Sequence, residues 1–476
     1  MTFRRALILA LCMTLPPMGA SLRANPEREA LANPTYDASK VRPKILELFN
    51  DFAENPLVCD FAVGAGGTTP PCYSIVHTIA DQASPEELVM LTRHKAPGVR
   101  ANALIALLYA KQDELFLEII PQHFHDSTRL TWFSGCSPGS VGLAEIVLSR
   151  AQWNLSDEAY RRLQEKLIYF EGSTEVRYMA FQVLPLAAKH EKRVRELATQ
   201  KSPGAALALA HYRKDSDVSI IQSIQADRAA EFFESVQAFP HEAFKDDLEE
   251  SYDSIMAPKD LYYGTEYFMA IAAYRDDWAR SMLRRPYGIH FFTDSASARS
   301  SVMYAITMEK QMPFYKDLIW EFSDSQPMGH RAFKTLCEEA SRQCTEYVRR
   351  ALTHIEEFKL VYAWDQVRTY TDYLRQNDPA LLKELIIEQL ELEQKRIPSP
   401  FLGVIQESRD PDYVEPALDF IEESPEQWSQ RDLGIVLLKF GDAAIKKRLL
   451  ELRNRKAMLR TKKFQEALDR WEPRKP

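Results

Sequence analysis

Gly135-Cys136-Ser137-Pro138-Gly139 has the G-x-S-x-G spacing of a hydrolase nucleophile elbow. In that motif the residue after the serine donates its backbone N–H to the oxyanion. Here that residue is Pro138, which has no N–H. Cys136 is a second candidate nucleophile, with His123 or His125 as its base, but a free thiol in an oxidising compartment is liable to oxidation. We interpret the segment as the turn between two helices and expect no catalytic residue.

A metal site and a phosphate loop are the other chemistries that the residue types raise. His123-Phe124-His125-Asp126 contains an H-x-H pair, but a closed zinc site needs four ligands and no matching pair lies nearby. Gly64-Ala65-Gly66-Gly67-Thr68-Thr69 resembles a phosphate-binding loop without the following Lys and without a preceding strand. A loop closed by a disulfide explains this glycine run better. We expect no metal and no cofactor.

The elements that carry these segments are predicted to be helices. The chain has only 16 glycines in 476 residues, which does not favour a fold rich in tight turns. Charged residues make up 27% of the chain. Apolar residues recur with a period near 3.6 almost throughout. We predict an all-α fold, more than roughly 60% helical and with essentially no sheet.

Two segments share the pattern V-R-x-x-A-φ-x-φ-L, where φ is apolar, at 97–107 and 174–184. The pattern resembles the second helix of HEAT repeats, a solenoid family of helix pairs, and the resemblance is clearest over 84–215. It implies a right-handed α–α superhelix in which Arg100 and Arg177 form hydrogen bonds near the inter-helix turn. The positions implied to pack inward are Val99, Ala103, Leu107, Val176, Ala180 and Leu184.

Neighbouring segments extend this repeat pattern. Degenerate copies begin at Gly139 and Pro203, and the first has Gly142 in the place of the arginine. Ser84-Pro85-Glu86-Glu87 is typical of a helix start, with Ser as N-cap and Glu three residues later. Ser156 opens a helix in the same way. Stacked helix pairs bury faces that one pair alone would expose.

Residues 1–24 have the features of a secretory signal peptide. Arg4 and Arg5 precede an apolar run of ten residues, 6–15, and 16–20 break it with prolines and small residues. We expect cleavage after Ala20 or Ala24 and a periplasmic or extracellular protein. The alternative is an N-terminal core helix.

The remaining chain divides into four predicted regions. A capping helix at 38–54 and the glycine loop occupy 25–83, and HEAT-like repeats occupy 84–258. Helix pairs continue over 259–445, either as the same solenoid or as a second α domain, and a basic C-terminal helix covers 446–476. The helices predicted beyond 215 are 227–238, 241–256, 265–284, 297–310, 313–323, 329–340, 345–358, 360–375, 379–394, 411–422, 425–440 and 442–470.

Five cysteines follow the signal, so export implies pairs with one left over. We predict the disulfides Cys59–Cys72 and Cys337–Cys344 and a free Cys136. Seven residues of continuous helix span about 10.5 Å, whereas a disulfide needs Cα atoms within about 7 Å. The second bond therefore requires a turn near Ser341. The alternative is one uninterrupted helix with two separate thiols.

Charge is unevenly distributed. The net charge is −8, yet the region from Lys446 onward holds twelve Lys or Arg and four Asp or Glu. The acidic remainder does not favour nucleic acid. The basic region could lie on an anionic membrane or meet an acidic partner. We favour a terminal helix docked on the protein's own acidic body.

Aromatic residues and arginines crowd 252–292, a composition found both in protein-binding hot spots and in ordinary helix cores. We favour the core interpretation for the region as a whole. The residues that we single out as candidate partner contacts are Tyr262, Tyr263, Tyr267, Trp278, Arg284 and Arg285.

The function predicted from the sequence is that of an exported helical-repeat scaffold that binds a protein partner without catalysis. A narrower alternative is an immunity or inhibitor protein against an exported toxin. The other alternative is an enzyme, because HEAT-like proteins include bilin lyases and alkyl-base DNA glycosylases. The predicted export and the acidic body argue against both of those activities.

Overall fold

The structure is a computed structural model, and helices account for 72% of it. The described residues are 36–64, 67–135, 137–257, 263–287, 295–310, 312–324, 326–339, 341–355, 360, 363–392, 397–425 and 427–473. The predicted signal peptide, Cys136 and Tyr262 therefore lie outside them. The chain divides into two compact units at Lys245/Asp246, a boundary inside the predicted repeat region 84–258. None of the described helices is long and apolar enough to cross a membrane.

The N-terminal unit contains twelve α-helices and three strands within its described residues. Its elements are α1 (Pro43–Glu54), β1 (Leu57–Val63), α2 (Pro71–Gln82), α3 (Pro85–Leu91), α4 (Pro97–Tyr109), α5 (Asp113–Ile119), β2 (Arg129–Gly135), β3 (Ser137–Gly142), α6 (Leu143–Asn154), α7 (Asp157–Ile168), α8 (Thr174–Tyr178), α9 (Glu191–Thr199), α10 (Ala205–Ala210), α11 (Val218–Gln222) and α12 (Ala229–Ala238).

The described residues of the C-terminal unit form helices joined by turns and contain no strand. Its helices are α13 (Lys245–Ile255), α14 (Gly264–Ala272), α15 (Asp277–Arg284), α16 (Ser295–Met308), α17 (Lys316–Phe322), α18 (His330–Glu339), α19 (Ser341–Thr353), α20 (Trp364–Asn377), α21 (Pro379–Glu391), α22 (Ser399–Ser408), α23 (Val414–Glu423), α24 (Gln427–Leu438), α25 (Ala443–Arg453) and α26 (Lys462–Asp469).

Helix α4 is the centre of the N-terminal unit. Every residue from Gly98 to Leu108 is buried, including the polar Arg100 and Asn102, so α4 is covered on all sides. Gly98 lets the backbones of α4 and α1 approach, because a Cβ there would lie 2.3 Å from the carbonyl oxygen of Phe52. The predicted capping box of α3 is present, with Ser84 and Glu87 bonded to each other's backbone N–H.

The positions equivalent in the two HEAT-like copies are mostly where the pattern places them. Val99, Ala103, Leu107, Val176 and Ala180 are all buried. Leu184 is only half-buried, because α8 ends at Tyr178 and a 3-10 turn replaces the rest of the predicted helix.

The two arginines of these copies make equivalent contacts. Arg100 donates to the carbonyl oxygen of Lys95 at 2.9 Å, and Arg177 donates to that of Gly172 at 3.5 Å. Each acceptor lies five residues before its arginine, at the turn that precedes the helix. The two arginines therefore share an acceptor position at the turn before their helices.

A three-stranded sheet is the main departure from the predicted all-α fold. Strand β1 pairs in parallel with β2, which pairs in antiparallel with β3. The predicted degenerate helix at Gly139 is wrong in its first half, because 137–142 form β3 and α6 begins only at Leu143. A strand also precedes the glycine loop at Gly64, contrary to expectation.

Two long predicted helices of the C-terminal unit are interrupted. The prediction at 265–284 becomes α14 and α15, because Arg275 adopts a left-handed conformation with φ 55° and Asp276 caps the next helix. The prediction at 442–470 becomes α25, a 3-10 turn and α26, with Thr461 extended before α26. Helix α22 was not predicted.

Both predicted cysteine pairs lie at disulfide distance. The Cα atoms of Cys59 and Cys72 are 6.1 Å apart, and those of Cys337 and Cys344 are 5.5 Å apart. The chain ends α18 at Glu339 and starts α19 at Ser341, which is the turn that the second pair requires.

Candidate functional site

The sheet of the N-terminal unit has one buried and one open face. Along β2 the side chains alternate, as in a half-buried strand. Leu130 and Trp132 pack into the core, whereas Arg129, Thr131 and Phe133 are exposed. Helices α4 and α6 contribute the core against which the inner face packs.

The sheet carries two exposed aromatic side chains. Phe133 is 36% exposed and Phe61 is 66% exposed. Cys59 is the register partner of Phe133, and the register of β1 and β2 shifts between Cys59 and Val63, so Phe61 lies in an irregular stretch of β1. We call the exposed side chains of the sheet the sheet face and define it by Phe61, Arg129, Thr131, Phe133, Pro138 and Ser140.

Side chains donate hydrogen bonds to backbone carbonyl groups of both edge strands. The Asn102 amide donates to the carbonyl oxygen of Leu57 at 2.9 Å, and Arg150 donates to that of Cys59 at 3.4 Å. On the other side, Arg129 donates to the carbonyl oxygen of Ser140 and, at 3.1 Å, to its hydroxyl. Pro138 has no N–H to offer. These groups disfavour addition of a further strand, so a partner would contact side chains on the sheet face.

Polar contacts and one cysteine pair join the sheet to the neighbouring helices. Asn102 is 1% exposed and also donates to Gly98 in its own helix, at 2.8 Å. Arg150 of α6 forms an ion pair with Asp60 of β1. The Cys59–Cys72 pair joins β1 to α2. A surface held in this way loses little conformational freedom when a partner binds.

The cavity beside β1 is too small for a substrate. It has a volume of about 10 Å³, enough for one water molecule. The ring of His77 stacks on Tyr109 with centroids 4.2 Å apart, and Tyr73 packs on His77 at 4.6 Å. Burial raises the pKa of Tyr109. The cluster is an aromatic packing contact between α2 and α4.

The G-x-S-x-G segment lies on a β-hairpin. The interpretation of this segment as an inter-helix turn is wrong, because Phe133 pairs with Pro138 and Gly135 turns the chain with φ +58°. A nucleophile elbow instead needs a strand that leads directly into a helix. Cys136 lies outside the described residues.

The His-x-His-Asp segment is used for packing and ion pairing. Asp126 accepts a 2.7 Å ion pair from Arg100, and both side chains are buried. His123 is buried, and desolvation lowers its pKa to about 4. Within the described residues no group of three or more His, Cys, Asp or Glu could hold a metal ion.

The candidate contacts of the C-terminal unit are partly core and partly ion-paired. Tyr267 is completely buried and donates to the carbonyl oxygen of Leu248 at 2.7 Å. Its side chain belongs to the core and cannot contact a partner. Trp278 donates to Glu249 at 2.6 Å, and Arg285 lies 3.8 Å from the same carboxylate.

The remaining candidate contacts of that region are also partly engaged within their own unit. Arg284 pairs with Glu321 at 3.0 Å, and Tyr263 is half-buried. Tyr262 lies outside the described residues. The local cations are therefore matched by carboxylates of their own unit.

Phe61 and Phe133 were not singled out from the sequence. The alternation of Leu130 and Trp132 with exposed neighbours, followed by Gly135 and Gly139, was the available signal for a hairpin. Its parallel pairing with β1 is not readable, because the paired residues are more than 70 positions apart.

No family model, curated protein or solved structure matches the chain.

Proposed function

We propose that this chain is an exported, non-catalytic scaffold that binds a protein partner through the sheet face. The observation that carries the proposal is the exposure of Phe61 and Phe133 on a sheet that contains a parallel pair. Parallel strands are ordinarily covered on both faces. An exposed apolar patch on a soluble protein marks an interaction site.

The shape and chemistry of the sheet face favour a protein over a small molecule. Its exposed side chains are Phe, Thr, Pro, Ser and one Arg, on strands rather than around a concavity. Small ligands bind in clefts of several hundred cubic ångströms, and the adjoining cavity is far smaller. The expected partner surface is mainly apolar.

The scaffold and its compartment are part of the same proposal. The matching turn contacts of Arg100 and Arg177 support HEAT-like stacking with a right-handed superhelix in the N-terminal unit. Two cysteine pairs at disulfide distance support export through residues 1–24, because disulfides persist in oxidising compartments.

The test is co-purification from the native envelope or medium with matched variants. Phe61→Ser/Phe133→Ser should lose a stoichiometric protein partner that wild type retains. Losing the contact of two partly exposed rings costs about 2 kcal/mol, or roughly thirtyfold in Kd. Tyr169→Ser is the control, because Tyr169 is 55% exposed elsewhere in the same unit. Retention of the partner by the double variant would contradict the proposal.

A further inference from the structure

The last two helices of the C-terminal unit combine a docked apolar side with a basic exposed side. The apolar residues that dock them are buried: Ile445, Leu449, Leu452, Met458, Leu459, Phe464 and Leu468. The segment therefore has a defined position on its unit. We call the exposed surface of this segment the basic face and define it by Lys447, Leu450, Arg460, Lys462 and Arg470, all exposed, with the exposed acids Glu451, Glu466 and Asp469 among them.

The neighbouring carboxylates neutralise few of these cations. Residues 446–473 hold ten Lys or Arg and four Asp or Glu. From the rest of the unit, Glu422 pairs with Arg455 at 2.7 Å, and Asp432 lies 3.6 Å from Lys463. Lys462 lies 3.9 Å from Glu466. Within the described residues, Lys447, Arg460 and Arg470 have no carboxylate at ion-pair distance. Positive charge thus persists on the face although the whole chain is acidic.

Apolar groups accompany the cations but do not form an interface core. Leu450 is 38% exposed between Lys447 and Arg453 on α25. Lys446 lies 4.0 Å from the ring centroid of Trp471. Protein interfaces need an apolar core and are depleted of Lys, whereas Lys and Arg beside single Leu and Trp residues suit a lipid headgroup layer.

We propose that the basic face docks the protein peripherally on a membrane surface rich in anionic phospholipid. Charge complementarity selects this occupant. Each Lys or Arg near an anionic surface raises partitioning about fivefold. The basic face and the sheet face share no residue, so the two proposals fail independently.

Vesicle co-sedimentation of the processed chain, purified from the exporting cell, tests the proposal. The chain should bind vesicles of phosphatidylglycerol and phosphatidylcholine at low salt. It should not bind phosphatidylcholine alone, and about 1 M salt should release it because screening is then nearly complete. The variant Lys447→Gln/Arg460→Gln/Arg470→Gln should bind roughly a hundredfold more weakly.

A matched variant separates the basic face from net charge. Lys166→Gln/Lys192→Gln/Lys334→Gln removes the same charge from three exposed lysines elsewhere and should bind like wild type. Equal loss in both triple variants, or equal binding to phosphatidylcholine alone, would overturn the proposal. So would displacement by inorganic phosphate at matched ionic strength. Binding to polyglutamate without binding to vesicles would overturn it in favour of an acidic protein.

Discussion

The buried ion pair between Arg100 and Asp126 predicts a large and asymmetric loss of stability. Their side chains are only 8% and 3% exposed, and the nitrogen and oxygen are 2.7 Å apart. Asp126→Ala leaves the guanidinium buried without its counter-charge. Removing one partner of a buried pair costs about 3–5 kcal/mol.

The lower end of that range applies here. Arg100 keeps two carbonyl acceptors, on His94 and Lys95, each at 2.9 Å. We expect a loss of about 3 kcal/mol, which lowers the Tm of a unit of this size by roughly 6–12 °C. Arg100→Met/Asp126→Leu should recover most of the loss, because no buried charge remains.

The assay is thermal unfolding at pH 7, followed by circular dichroism. Glu114→Ala is the control, since its pair with Arg162 has side chains 75% and 47% exposed. Exposed pairs contribute about 0–1 kcal/mol, so this variant should melt close to wild type. If Asp126→Ala melted together with Glu114→Ala, the N-terminal unit would not bury this pair.

Three further outcomes follow from the same contacts. Burial holds the pKa of His123 at about 4, below its ordinary 6.5, so the neutral form stabilises the fold above pH 6.5 and roughly 3 kcal/mol is lost as the pH falls towards 4. His123→Gln should flatten the dependence of Tm on pH in that window, and an unchanged slope would exclude His123 as its source. Val176→Asp places an unpaired charge at a 3% exposed position, so the free energy of unfolding should fall by several kcal/mol. A melting curve like that of wild type would show that the repeat register is wrong. Non-reducing peptide mapping of the exported chain should recover Cys337 joined to Cys344, whereas separately alkylated thiols would contradict the turn between α18 and α19.

Local signals predicted most of the helical structure. The capping box at Ser84 and the apolar faces around Val99 and Val176 depend on neighbours within a few residues, and the structure has them. The predicted turn before Ser341 followed from the predicted Cys337–Cys344 bond and the Cα distance that a disulfide requires.

Non-local pairing and backbone conformation explain what the sequence did not reveal. Strand β1 finds its partner across α2 to α5, and the edge contacts of Asn102 and Arg150 depend on that pairing. The left-handed Arg275 divides α14 from α15, although its residue type gives no sign of a break. The sheet face was missed for the same reason, because Phe61 and Phe133 belong to one sheet only through the pairing of β1 with β2.

Site-specific photo-crosslinking from the sheet face tests whether a protein partner binds there. A photoreactive phenylalanine analogue at Phe133 keeps the ring at its 36% exposed position, and the same analogue at Tyr169 samples another exposed position in the unit. We expect position 133, irradiated in the exporting cell, to yield one discrete adduct with a second protein, and position 169 to yield none. Equal labelling at both positions, or no adduct at 133, would contradict partner binding through the sheet face.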